Sequence, residues 1–167
     1  KHMLFSIDLT DYENVQQIVV QIGEKLGRID GLINSAGIST TLPFNMGKPQ
    51  KMDEFFHANV HSAFNLTRMI TRPEVVAEKG ASIVFISSVM AVVGENGKSL
   101  YSMTKGALIA GARSLAVELA PRNIRVNCIS PGVVESPMSK ASVYSRNEEA
   151  LNKIKGLHPL GLGQPED

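Results

Sequence analysis

SIVFISSVMAVVGENGKSLYSMTK, residues Ser82 to Lys105, is the stretch from which the rest of the chain is read. Ser82 to Ser87 reads as a short buried strand, because four apolar residues, Ile83 to Ile86, stand together without the gaps that a helical face would show. A helix opens at about Leu100. On it Tyr101 and Lys105 are four apart, so their side chains share one face, one turn apart. Ser88, thirteen residues before Tyr101, stands at the carboxyl end of the strand. A free tyrosine titrates near pH 10, too high for proton exchange at neutral pH. A lysine ammonium at about 4 Å contributes about 4 kcal/mol at an effective dielectric near 20, or about three pK units toward the phenolate. Tyr101 could then exchange a proton with an alcohol or carbonyl oxygen, and Ser88 would hydrogen-bond that oxygen where charge develops.

By chance a YxxxK pattern turns up in about one chain in six of this composition, so alone it says little. Requiring the upstream serine leaves under about two per cent, and the competing reading, a solvent-facing Tyr and Lys on an ordinary helix, weakens as the remaining chain is added.

Outward from that stretch, strands and helices alternate. Leu4 to Asp8 reads as a strand, followed by a helix whose start is marked by a capping box of Thr10 with Glu13. Val15, Ile18, Val19, Ile22 and Leu26 recur at helical spacing, with Gly27 as C-cap. Ile29 to Asn34 is a strand ending in the turn Ser35-Ala36-Gly37. A long helix spans about Met52 to Thr71 and stops before Pro73. The Tyr101 helix runs to Ala120 and Pro121, Ile124 to Ser130 forms another strand, and Pro131-Gly132 closes it. Residues 137–157, with a helical piece from Asn147 to Lys155, read as a flap over a site. The alternation implies an α/β fold: a Rossmann-like doubly wound parallel sheet covered on both faces, in one domain spanning 1–167. Ligands of such sheets bind at the carboxyl ends of strands, where Asp8, Asn34, Ser88 and Pro131-Gly132 fall.

At 43% hydrophobic residues, 167 residues are enough to bury a core. A net charge of +1 without a basic run argues against nucleic acid and anionic membranes as partners. No apolar stretch approaches the roughly 18 residues of a membrane span, and no signal peptide is visible, so a cytoplasmic protein is expected. The single cysteine, Cys128, lies in the apolar run Ile124 to Ile129 and reads as a buried thiol rather than a nucleophile. His57 and His61 sit four apart without a third ligand, so no metal is expected. Asn59, in mid-helix, costs propensity and invites a reason, the competing reading being a helix-surface amide. Two mid-helix glycines, Gly106 and Gly111, cost about 1 kcal/mol each relative to alanine, for which close approach of another backbone is the expected compensation.

NSAG from Asn34 to Gly37, Asn59, ISS ending in Ser88, YSMTK, PGVVESP from Pro131, and LAVELAPRNIRVNCISPG together resemble the short-chain dehydrogenase/reductase family, over essentially the whole chain and in the right order. Within it the acyl-carrier-protein 3-oxoacyl reductases and related sugar or steroid alcohol dehydrogenases look nearest. The resemblance implies NAD or NADP as cofactor and a small carbonyl or alcohol as substrate. It makes Tyr101 the acid/base, Lys105 the group that lowers its pKa and bonds the nicotinamide ribose, Ser88 the holder of the substrate oxygen and Asn59 the holder of a water leading from Lys105. Asp8 and Leu9 match positions at the adenine. Asn34, Ala36 and Gly37 match positions beside the dinucleotide, and Pro131, Gly132, Val134 and Ser136 match the loop at the nicotinamide. It also implies a homodimer or homotetramer built on the two long helices.

Ser35 stands where the family usually has a second asparagine, and Ser136 where threonine is usual. The glycine-rich strand-turn-helix that seats the pyrophosphate is absent from this sequence, so NAD and NADP are not distinguished. Both ends read as cut. Pro165 followed by acids ordinarily opens a helix, and the expected sheet is incomplete at both ends, the strand Leu4 to Asp8 having no partner in the sequence. Against an oxidoreductase stands a second reading, a non-catalytic module of the same fold serving binding or oligomerisation. Retention of Asn59, Ser88, Tyr101 and Lys105 together favours the enzyme.

Overall fold

The structure, a computed structural model, describes residues 2–141 and 148–166. Three parallel strands form its sheet: β1 (Gly31–Asn34), β2 (Ala81–Ile86) and β3 (Ile124–Ile129), in the order β1-β2-β3. Gly31 pairs with Ser82 and Asn34 with Phe85, while Ala81 pairs with Ile124 and Ile86 with Ile129, so the carboxyl ends of all three strands lie on one edge. β2 is central. Its alternate residues Ile83 and Phe85 are fully buried, each contributing about 1.5–3 kcal/mol by burial alone.

The helices are α1 (Tyr12–Leu26), α2 (Pro49–Phe56), α3 (Ser62–Ile70), α4 (Ser99–Leu119), α5 (Pro137–Ser139) and α6 (Glu148–Gly156). α2 and α3 are one continuous helix joined by a π-helical turn, His57–His61. Ala63 of α3 and Leu108, Ala112 and Leu119 of α4 pack with Ile83, Phe85, Ile124 and Val126 in one core. α1 lies beside α3, where Val15 and Val19 meet Met69 and Ile70. These helices therefore form one layer on one face of the sheet. The expectation of a sheet covered on both faces is not met among the described residues: on the far face Ile33 is 69% and Ile129 52% exposed.

The expected strand Leu4 to Asp8 is not a strand. Among the described residues β1 pairs with β2 alone, so no ladder is offered to it, and an unpaired strand leaves its N–H and C=O groups without partners. Residues 2–8 run without regular structure instead. Leu4 is 96% exposed, and only Ile7 and Leu9 pack onto the α1–α3 core. The capping box fails as well. Asp11 is the N-cap of α1 and accepts from the Asn14 N–H at 3.1 Å, while the Thr10 hydroxyl turns back to the Asp8 carboxylate at 2.8 Å. Gly27 ends α1 as expected. Of the expected flap, 142–147 lie outside the described residues.

Candidate active site

Tyr101 and Lys105, in the first two turns of α4, meet the ends of β2 and β3. β2 runs straight into Ser87 and Ser88, and the Ser87 hydroxyl donates to the Lys105 carbonyl at 2.8 Å, fixing this turn of α4 against the strand end. Ser88 caps a short 3₁₀ turn, Val89–Ala91, accepting from the Met90 N–H at 3.2 Å. Its side chain also faces the Tyr101 hydroxyl closely enough to oppose the effect of burial on it.

Lys105 is 5% exposed. Its Nζ donates to the Ile86 carbonyl at 2.7 Å and lies 5.7 Å from the centre of the Tyr101 ring. The ammonium thus faces a strand-end carbonyl and the ring. Burial holds the Lys105 pKa below its ordinary value, the Cys128 thiol opposing it as the smaller cause. Burial likewise pushes the Tyr101 hydroxyl above its ordinary value, with the Ser88 side chain opposing. The expected lowering of Tyr101 by Lys105 is therefore reversed. Spacing of four along the helix put both side chains on one face, but the ammonium satisfies Ile86 first, and desolvation outweighs the charge.

Asn59 sits within the π-helical turn and is fully buried, not a surface amide. Its Oδ1 accepts from the Ile38 N–H at 2.7 Å; its Nδ2 donates to the Ile38 carbonyl and to Thr104 Oγ1, both at 3.0 Å. Both carboxamide protons and one lone pair of Oδ1 are thereby committed to protein groups. Asn59 straps the turn after β1 to the helix layer. That turn carries Gly37, where an added Cβ would lie 3.1 Å from Asn59 Oδ1 and 3.5 Å from Lys105 Nζ.

Asn34 is buried and donates to Thr67 Oγ1 at 3.0 Å, facing the helices. Leu9, Ile33, Asn34, Ser35 and Ala36 line a shallow cavity of about 140 Å³ at the carboxyl end of β1. Asp8 is exposed, and its carboxylate is held below the usual value by the backbone and hydroxyl of Thr10. Pro131 accepts from the Val89 N–H at 3.0 Å, which ties the loop after β3 to the Ser88 turn. Val134 forms a parallel bridge with Gly163, and Ser136 is engaged in a capping box with Ser139. The strand ends thus bring Ser88, Tyr101, Lys105, Gly37 and Pro131 to one edge, while Asp8 stands apart as a solvated turn residue.

Ser87 and Thr104 were not legible as site residues. Thr104, fully buried, both receives from Asn59 and donates to the Tyr101 carbonyl at 2.8 Å. A hydroxyl inside YSMTK, where a helix prefers other residues, was the available signal. Cys128 is half-buried and burial raises its thiol pKa. His57 Nδ1 lies 2.7 Å from the Asp53 carbonyl, and the rings of His57 and His61 meet edge-on at 4.6 Å.

The family pattern described as Enoyl-(Acyl carrier protein) reductase matches residues 1–167. A 3-oxoacyl-[acyl-carrier-protein] reductase, FabG, of Thermotoga maritima is 35% identical over 164 residues, covering 98% of this chain and 65% of the relative. A human 3-oxoacyl-[acyl-carrier-protein] reductase is 34% identical over 160 residues, 96% of this chain and 65% of its own length. Among solved structures, ElxO with NADP bound superposes with a TM-score of 0.85 at 28% identity, over 97% of this chain and 65% of ElxO. A short-chain dehydrogenase/reductase from Brucella melitensis does so with a TM-score of 0.84 at 31% identity, over 96% of this chain and 63% of its own. The chain belongs to the short-chain dehydrogenase/reductase family, with a Rossmann-type α/β fold, and spans about two thirds of the length of these relatives.

Proposed function

We propose that the protein is an NAD(P)-dependent oxidoreductase acting on a carbonyl or secondary alcohol, with a 3-oxoacyl thioester of the acyl-carrier-protein type as the closest substrate class. The observation that carries this reading is the Tyr101 hydroxyl facing the Ser88 side chain, with the Lys105 ammonium beside the ring, at the carboxyl edge of a parallel sheet. The nicotinamide half of a dinucleotide fits these residues. Gly37 leaves the space next to Lys105 that any side chain would fill, and the loop from Pro131 to Ser136 stands opposite. Leu9, Asn34 and Ala36 border the same edge, and we place the rest of the dinucleotide along it.

When bound, the cofactor supplies or accepts the hydride. Tyr101 gives its proton to the substrate oxygen as the carbonyl becomes an alcohol, and takes it back in the reverse direction; Ser88 holds that oxygen by a hydrogen bond. Lys105, its ammonium on the Ile86 carbonyl beside the Tyr101 ring, is the group we place at the nicotinamide ribose. Asn59 acts through the Ile38 strap, keeping the Gly37 turn clear of Lys105. Our reading also makes the protein cytoplasmic and homo-oligomeric.

The test is the change in NADPH and NADH absorbance with a panel of 3-oxoacyl thioesters, ketones and secondary alcohols. Turnover with at least one class is expected, and Tyr101→Phe should lower it by at least about a hundredfold with unchanged circular dichroism. Equal turnover by the variant would remove Tyr101 from the chemistry.

A further inference from the structure

The loop leaving β3 is gripped by a side chain outside the candidate set. Val133 donates its backbone N–H to Nε2 of His158 at 3.0 Å, and the other ring nitrogen, Nδ1, lies 2.9 Å from the Ile154 carbonyl in α6. An amide can only donate, so Nε2 is the acceptor; a carbonyl can only accept, so Nδ1 carries the proton. Both nitrogens of a neutral imidazole are thus committed, one to each element. Gly132 makes the approach possible. An added Cβ there would lie 2.9 Å from His158 Nε2 and 3.4 Å from Cδ2, so any larger residue would push the ring away. Beyond His158 the same segment is joined again: Glu135 N donates to the Gly163 carbonyl at 2.8 Å, and Gly163 N to the Val133 carbonyl at 3.1 Å.

We propose that His158 is a positioning residue for the cofactor, clasping residues 131–135 to α6 so that the loop meets the nicotinamide end already ordered; this rests on the reading of that loop given under the proposed function. Residues 131–135 lie between β3 and α5 without a helix or strand of their own. Ordering such a loop only when ligand arrives subtracts from affinity, whereas a loop held in advance does not. The ring is suited to the task because it accepts from Val133 and donates to Ile154 at once. A lysine or a hydrophobic residue at that place could not do both.

Fluorescence titration with NADPH, together with amide hydrogen exchange on the ligand-free protein, tests the clasp in His158→Phe, His158→Gln and Gly132→Ala. Phenylalanine keeps a ring in the slot and removes the acceptor. It should weaken NADPH binding about five- to tenfold, the worth of a hydrogen bond, and speed exchange at Val133. Glutamine, whose amide oxygen can accept from Val133, should recover most of both. Gly132→Ala should add little on top of His158→Phe, since both act on one contact. Unchanged Val133 exchange in His158→Phe overturns the clasp. Faster exchange with NADPH affinity kept within about twofold overturns the positioning role. A parent protein that fails to bind NADPH overturns the reading of the site itself, a separate result, because the exchange measurement needs no cofactor.

Discussion

The Tyr101 hydroxyl shows how burial and charge compete at a single residue. Its folded pKa lies above the free value of 10.0, so the stability tied to the neutral hydroxyl is complete below about pH 10 and is lost as pH climbs through the folded value. Lys105 runs the other way. Its folded pKa lies below the free value of 10.5, so its contribution is complete above that value and is lost as pH falls through the folded one. Tyr101→Phe deletes only the first of these dependences. Urea midpoints of the parent and of Tyr101→Phe should therefore lie close together at about pH 8 and separate at about pH 11, with the variant the more stable. An equal gap at both pH values would mean that Tyr101 is not held neutral by the fold. The same residue marks the limit of reading from sequence: the four-residue spacing placed Tyr101 and Lys105 on one face, but the ammonium's choice of Ile86 depends on where β2 ends, which no helical spacing records.

At the scale of the element, β2, α4 and β3 were legible because each is an apolar run closed by its own punctuation, Ser87-Ser88, Pro121 and Pro131-Gly132. The π-helical turn His57–His61 was not, since one extra residue in a helix leaves the apolar periodicity nearly unchanged. Only Asn59 hinted at it. Asn59→Ala would leave the Ile38 N–H and carbonyl and the Thr104 hydroxyl short of a partner, at a loss of about 2–4 kcal/mol in urea unfolding; a loss under about 1 kcal/mol would show that the strap is dispensable. The glycines of α4 were expected to admit a neighbouring backbone, and the structure separates them. At Gly111 a Cβ would run into the tip of the Phe64 ring, itself stacked on Phe85 at 5.0 Å, so the ring could give way only by disturbing that stack. At Gly106 it would meet nothing within 4 Å. Gly111→Ala should then lower stability by about 1–3 kcal/mol, and Gly106→Ala should raise it by about 0.5–1 kcal/mol, both read from the shift in urea midpoint. The same sign for both would refute this account.

At the scale of the whole molecule, two of the apolar surfaces among the described residues bear on assembly. One is the far face of the sheet, with Ile33 and Ile129; the other runs along α4. Met103, Gly106, Ala110 and Val117 recur at steps of three, four and seven, so they line one stripe of the helix. Met103 is 40% and Val117 79% exposed. The exposed positions of this stripe are apolar, whereas the sheet face presents strands whose neighbouring positions Arg125 and Asn127 are exposed and polar. A twofold axis along the stripe would set each residue against its counterpart, the self-complementary contact that a symmetric dimer requires. We therefore expect self-association through α4. Val117→Glu would face its own copy across the axis and put like charges together in a water-poor contact. It should convert the oligomer to monomer in light scattering, with helix content unchanged, while Ile129→Glu on the sheet face should leave the mass as it was. Dissociation by Ile129→Glu and not by Val117→Glu would move the interface to the sheet, and a parent protein that scatters as a monomer would remove the interface altogether.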